Sequence, residues 1–219
     1  MKTSNKLVVA VMAGLLATTS MGGLAAYAAG TEATAPAATP YATQKELIKT
    51  ADEAVTTLTH VRSARLALLD NKIDVAKADV AEATKSLTQG EADLKALRVA
   101  DTEKPGAKPE YLPFDMSMTL TDTFKPTEEN QAALAKAKGL MKSGDKDAAI
   151  DVLRTASVDV EISAALLPES LSMESLKKAS QLIDSKNYFD ANLALKSIED
   201  GVIVRTFGID AIPAQGGVE

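Results

Sequence analysis

The chain has no cysteine, no tryptophan and one histidine in 219 residues. Without cysteine there are no disulfides, no thiol nucleophile and no thiolate metal site. A lone imidazole, His60, cannot build a zinc site without carboxylate help, and no H-E-x-x-H spacing is present. Neither G-x-S-x-G nor S-x-x-K with its partner motifs occurs, so serine chemistry finds no anchor. Aromatics make up 4% of the chain, too few for a platform on which bases or sugars stack. Cations are short as well, with 24 Lys and Arg against 30 Asp and Glu. A polyanion is best bound by a basic face, so nucleic acid is not an expected partner. No catalytic constellation, cofactor motif or metal-ligand spacing emerges, and the expectation is a protein that is not an enzyme.

What the chain does have begins with a secretory pattern. Lys2 and Lys6 precede an apolar run from Leu7 to Ala17, and "AAYAAG" supplies the small residues of a cleavage site between Ala28 and Ala29. An uncleaved anchor is the rival reading, since a bilayer needs about 20 apolar residues. The polar, glycine-bearing "TTSMGGLAA" fits the approach to a cleavage site better. Residues 1–28 are therefore read as a signal peptide, which implies a periplasmic product whose mature chain does not insert stably into a membrane. Losing Lys2 and Lys6 leaves 22 basic residues against 30 acidic ones, a net charge of −8. About 190 mature residues suffice for one apolar core, which a chain without staples requires.

Residues 29–42, rich in Ala, Thr and Pro, read as a disordered leader, 43–210 as a helical domain, and 211–219 as a flexible tail. Thr43-Gln44-Lys45-Glu46 has the form of a capping box. From there Leu47, Ala51, Ala54, Leu58, Val61, Arg65 and Leu68 keep helical spacing to about Asp70. A second helix starts near Asp74, with Val75, Ala78, Ala83 and Leu87 as its stripe. "ADTEKPGAKPE" breaks the pattern, and then Phe114, Met116, Met118 and Leu120 alternate with polar residues as in a strand. Val158, Val160 and Ile162 alternate likewise, so the two strands are expected to pair. Thr127 caps a third helix that ends at Gly144, a fourth starts at Asp145, a fifth covers about 172–185, and a sixth runs from Asn187 to about Arg205. The expected fold is mostly α, with antiparallel helical hairpins in one domain and a short two-stranded β-ribbon.

Three stretches echo one another: "LLDNKIDVA" from Leu68, "LMKSGDKDA" from Leu140 and "IDSKNYFDA" from Ile183. Each places an alanine eight residues on, at Ala76, Ala148 and Ala191, where a returning helix can come close. The intervals of 72 and 43 residues differ from the constant spacing of about 34 in tetratricopeptide repeats, so hairpin packing is favoured over a solenoid groove.

Few residues offer chemistry. His60 reads as an ordinary helix residue, with a pH sensor as its functional alternative. Met116 and Met118, with Phe114, read as core filler, with an apolar binding surface or a soft-metal site as the alternatives. Glu199 and Asp200, adjacent on a helix, read as solvated surface. Collectively the carboxylates would lose charge near pH 4, which suggests that association changes with acidity.

"VRSARLALLDNKIDVAKADVAEA" and "YFDANLALKSIEDGVIV", the latter with Asn192 to Lys196 and then Glu199-Asp200-Gly201 in order, resemble the YfdX family of bacterial periplasmic helical proteins. The resemblance runs from about Thr43 to Val204. It implies a helical homo-oligomer, dimer or tetramer, tied to acid, heat and drug stress, with no catalytic residue, cofactor or metal to carry over. The expected function is a chaperone-like or small-molecule-binding oligomer whose partners are unfolded proteins or amphiphilic molecules. The alternative is a scaffold or adaptor for a membrane stress-resistance protein.

Overall fold

Helical periodicity and turn chemistry divide the chain into seven helices and three strands among the described residues, which in this computed structural model are 39–104, 106–108 and 110–216. The expected signal peptide, its expected cleavage residues Ala28 and Ala29, and most of the expected leader lie outside them. In chain order the elements are α1 Asp52–Leu69, α2 Ile73–Thr88, α3 Glu91–Leu97, β1 Tyr111–Leu120, α4 Glu128–Ser143, α5 Lys146–Thr155, β2 Val160–Pro168, α6 Glu169–Asp184, α7 Tyr188–Asp200 and β3 Ile203–Gly208.

Helices α1, α2, α6 and α7 form a four-helix bundle in which α1 touches α2 and α7, and α6 touches the same two. Small residues let the helices approach: Ala54, Ala64, Ala76, Ala83, Ala179 and Ala191 are buried beside Val61, Val80, Leu176, Leu195 and Ile198. A second core lies against one face of the sheet. There Val160, Ile162, Ala164 and Leu166 of β2 meet Ala149, Ile150 and Leu153 of α5 and Ala133 and Ala137 of α4. The alternation along β2 directs one face to this core, as a period of two requires. At its end β2 changes allegiance, because Leu167 and its β1 partner Leu112 are buried in the bundle core.

The expected two-stranded ribbon is in fact a three-stranded antiparallel sheet of order β1-β2-β3. The last helix stops at Asp200 rather than near Arg205, and the β-branched run that follows Gly201 enters the sheet at Ile203 as β3. Pro113 sits in β1, an edge strand, beside an irregularity at Phe114.

A further correction concerns Thr43-Gln44-Lys45-Glu46. No helix starts there; α1 begins at Asp52, after Ala51 in extended conformation. Leu47 and Ile48 are both buried, in the core on the α4–α5 side. The backbone of this segment is engaged elsewhere. Gln44 N donates to Ile212 O at 2.9 Å, Ala214 N to Ala42 O at 2.8 Å, Lys49 N to Gln215 Oε1 at 2.8 Å, and Thr43 bridges Pro213. Gln215 Nε2 reaches Lys49 O and Leu97 O at 2.9 and 2.7 Å, and Tyr41 Oη donates to Ala211 O at 3.0 Å. Residues 211–216, expected to fray, are therefore docked, with Ile212 fully buried.

The internal echo survives in altered register. Asn71, Gly144 and Lys186 all have left-handed backbones, with φ of 57°, 89° and 59°. Behind each, the same two bonds close the helix: Asn71 N to Leu68 O and Lys72 N to Ala67 O; Gly144 N to Met141 O and Asp145 N to Leu140 O; Lys186 N to Ile183 O and Asn187 N to Leu182 O. These are three Schellman corners. Ser157, with φ of 50°, repeats the pattern through Arg154 O and Leu153 O at the end of α5, where the chain turns into β2. Counting five residues from each of the three hairpin corners reaches Ala76, Ala149 and Ala191, all fully buried. The middle contact is thus Ala149 and not Ala148, because its corner is one residue later. On α2 the buried stripe is Ala76, Val80, Ala83 and Leu87, while Val75 and Ala78 are exposed.

A lysine gains nothing from left-handed φ, which costs an L residue roughly 1–2 kcal/mol. Lys186→Gly is expected to stabilise the chain by about 0.5 kcal/mol after the extra entropy of glycine is subtracted, raising the melting temperature by roughly 1–2 °C. A lower melting temperature in differential scanning calorimetry would contradict this reading of the corner.

Candidate functional site

The seam between α1 and α7 is built from residues of both quoted stretches. Arg65 interrupts the apolar stripe of α1, and its guanidinium crosses to α7, where Nε donates to Asn192 Oδ1 at 3.0 Å and Nη1 meets Glu199 Oε2. Arg62, one turn back, donates from Nε to Glu199 Oε1 at 3.0 Å. Glu199 is therefore not free surface, and the two adjacent acids part company: Asp200 pairs with Lys196 on its own helix. Gly201 then lets the chain pass close to Leu171 and Pro168.

Large apolar side chains stand exposed around this seam. Leu66 and Leu69 flank Arg65 on α1 and are 65% and 71% exposed; Phe189 and Leu193 flank Asn192 on α7 and are 72% and 45% exposed. Because Arg65 and Asn192 are hydrogen-bonded, the four lie about one polar seam at the outer face of the bundle. Isolated exposed leucines are ordinary; here four large apolar side chains stand exposed on two adjoining helices.

His60 lies on the α1–α2 side. Its Nδ1 is 2.8 Å from Asp79 Oδ1, and Asp79 Oδ2 accepts from Ser63 Oγ at 2.6 Å. The carboxylate is the centre of this group, so serine and histidine do not face each other as nucleophile and base. Phe114 is half-buried against the bundle core, whereas Met116 and Met118 are half-buried against the sheet-side core. The three belong to β1 but not to one surface, since the irregularity at Phe114 separates them. Among the described residues no group of three or more His, Asp or Glu side chains is placed to hold a metal ion, and no helix is long and apolar enough to cross a membrane.

Two buried ion pairs escaped sequence reasoning. Asp101, 1% exposed, accepts from Arg205 Nε and Nη2 at 2.6 and 3.1 Å and from Glu103 N at 3.1 Å. The Arg205 guanidinium holds the Asp101 carboxyl below the usual carboxylate range, and the Arg205 pKa rises in return. Glu169, also buried, accepts from Arg98 Nε and Nη2 at 2.5 and 2.7 Å. Together they fasten the segment after α3 to β3 and to the first turn of α6. Partners 104 and 71 residues apart leave no local pattern to read.

Comparison with known proteins places these features in a family. The model described as YfdX protein matches residues 57–208. Protein YfdX of Escherichia coli (strain K12) is 35% identical over 149 residues, spanning 66% of this chain and 68% of the relative. The solved structure of Salmonella Typhi YfdX aligns with a TM-score of 0.59 at 26% identity, covering 76% of this chain and 96% of that one. The family match takes in nearly all of the bundle and the whole sheet, including Arg62, Arg65, Asn192, Glu199 and Gly201 of the seam. The fold agrees with the solved relative, the sequence with the curated one, and the chain belongs to the YfdX family.

Proposed function

We propose that this chain is a non-catalytic stress-tolerance protein of the periplasm, a homo-oligomer that takes up unfolded proteins or amphiphilic molecules on its apolar surface. The observation that supports this most directly is the exposed group Leu66, Leu69, Phe189 and Leu193 at the α1–α7 seam. Each such side chain gains roughly 1.5–3 kcal/mol on full burial, so four of them supply enough to hold a client loosely without any specific pocket. Acidity adds a further dependence: as carboxylates lose charge on the way to pH 4, the net charge passes through zero near the sequence pI of about 5.0 and becomes positive, which changes the forces between copies and between copy and client.

The test is aggregation of a heat- or acid-denatured client followed by light scattering, with and without the purified protein at pH 7 and pH 4. Suppression at near-stoichiometric ratios, different in extent at pH 7 and pH 4 and lost in Leu69→Glu/Phe189→Glu, is the expected outcome. Absence of suppression at both pH values would overturn it and move the weight to an adaptor that holds one membrane stress-resistance protein.

A further inference from the structure

On the opposite side of the bundle from the α1–α7 seam, α2 and α6 line an open groove of about 870 Å³. A volume between about 300 and 1,000 Å³ is that of small-molecule sites in general. Its floor is apolar, made by Val80 of α2 and Met173 and Leu176 of α6, and exposed Ala81 also lines it. Its walls carry Lys77 and Lys85 from one helix and Lys177 from the other, against a single lining carboxylate, Glu174.

The lysines are not equivalent. Lys77 is committed to Asp184 at 2.7 Å, at one end of the groove. Lys85 meets Glu82 at 3.4 Å with both side chains more than half exposed, a contact worth little. Lys177 makes no ion pair among the described residues. A chain of net charge −6 thus presents, on two facing walls above an apolar floor, two ammonium groups with little or no engagement of their own.

We propose that this groove binds an organic anion with one acidic headgroup and an apolar body, the chemistry of a medium-chain fatty acid. The headgroup lies between Lys85 and Lys177, and the aliphatic body covers Val80, Met173 and Leu176. Both halves are required. An inorganic anion leaves the floor wet, and a neutral lipid leaves the ammonium groups without a counter-charge. The site is separate from the apolar face of α1 and α7 and stands whether or not that face takes up clients.

Isothermal titration with decanoate tests it, with 1-decanol as the neutral counterpart. One saturable decanoate site per chain is expected, at least tenfold weaker in Lys85→Glu/Lys177→Glu and in Ala81→Trp, which fills the groove. All of these positions are solvent-exposed, and unchanged circular dichroism verifies that the variants fold. Leu69→Glu/Phe189→Glu, on the other face, should bind decanoate as the parent does, so this result is independent of the client assay. No saturable binding, equal affinity for decanol, or affinity untouched by the charge reversal would each overturn the proposal.

Discussion

Replacing Arg205 by leucine is expected to lower stability by about 3 kcal/mol and the melting temperature by roughly 6–12 °C. The loss comes less from the attraction removed than from the carboxylate left behind. Asp101 is 1% exposed and would keep only the Glu103 N–H and the Lys104 ammonium, at 3.1 and 3.4 Å. Replacing both partners, as Asp101→Leu/Arg205→Leu, should cost clearly less than the single change, because no buried charge remains unpaired.

Acidity gives a second readout. The Asp101 pKa is lowered in the native state, so the pair contributes fully above the unfolded value of about 3.9 and loses its contribution as pH falls through the lowered native value. Urea unfolding of parent and Arg205→Leu at pH 7, 5 and 3 should therefore show a gap that narrows toward pH 3. A gap of constant size would mean that Arg205 acts through packing alone.

A methyl group at Gly201 should cost about 2 kcal/mol, seen as a melting temperature lower by roughly 4–8 °C. The backbone is not the reason, since φ is −80° and any residue adopts it. The reason is space: a Cβ there lies 2.7 Å from Leu171 Cδ2, 3.0 Å from Pro168 Cγ and 3.1 Å from Ser197 O. Leucine can swing away and the proline ring cannot, so Leu171→Ala should return part of the loss in Gly201→Ala but not all of it. Calorimetry giving Gly201→Ala the stability of the parent would mean that the junction of β2 with α6 yields readily.

Where chemistry is local, the sequence was legible. Thr127 accepts from Asn130 N and its own N–H is taken by Asn130 Oδ1, so α4 begins where its capping residue stands. Gly144 ends α4 with the left-handed turn its lack of a side chain permits. The alternations in β1 and β2 announced strands because a half-buried sheet imposes a period of two. What local pattern missed was decided by distant partners. Thr43-Gln44-Lys45-Glu46 has the residues of a capping box, yet its backbone bonds to a segment some 170 residues later and buries Leu47 and Ile48 together. The β-branched run after Gly201 carried a strand signal that a continuing helical stripe obscured. In the site, the apolar stripe of α1 was readable but the purpose of Arg65 was not, since Asn192 and Glu199 stand on a helix that only the bundle brings near.

The pairing of residues 41–49 with residues 211–215 does for this cysteine-free chain what a staple does elsewhere: it closes nearly the whole chain into one loop. Closing so long a loop is entropically slow, and the contact order it imposes is high. It also sets a direction in time. Leu47, Ile48, Phe207, Ile209 and Ile212 share one core, so that core stays open until both ends of the domain have come together.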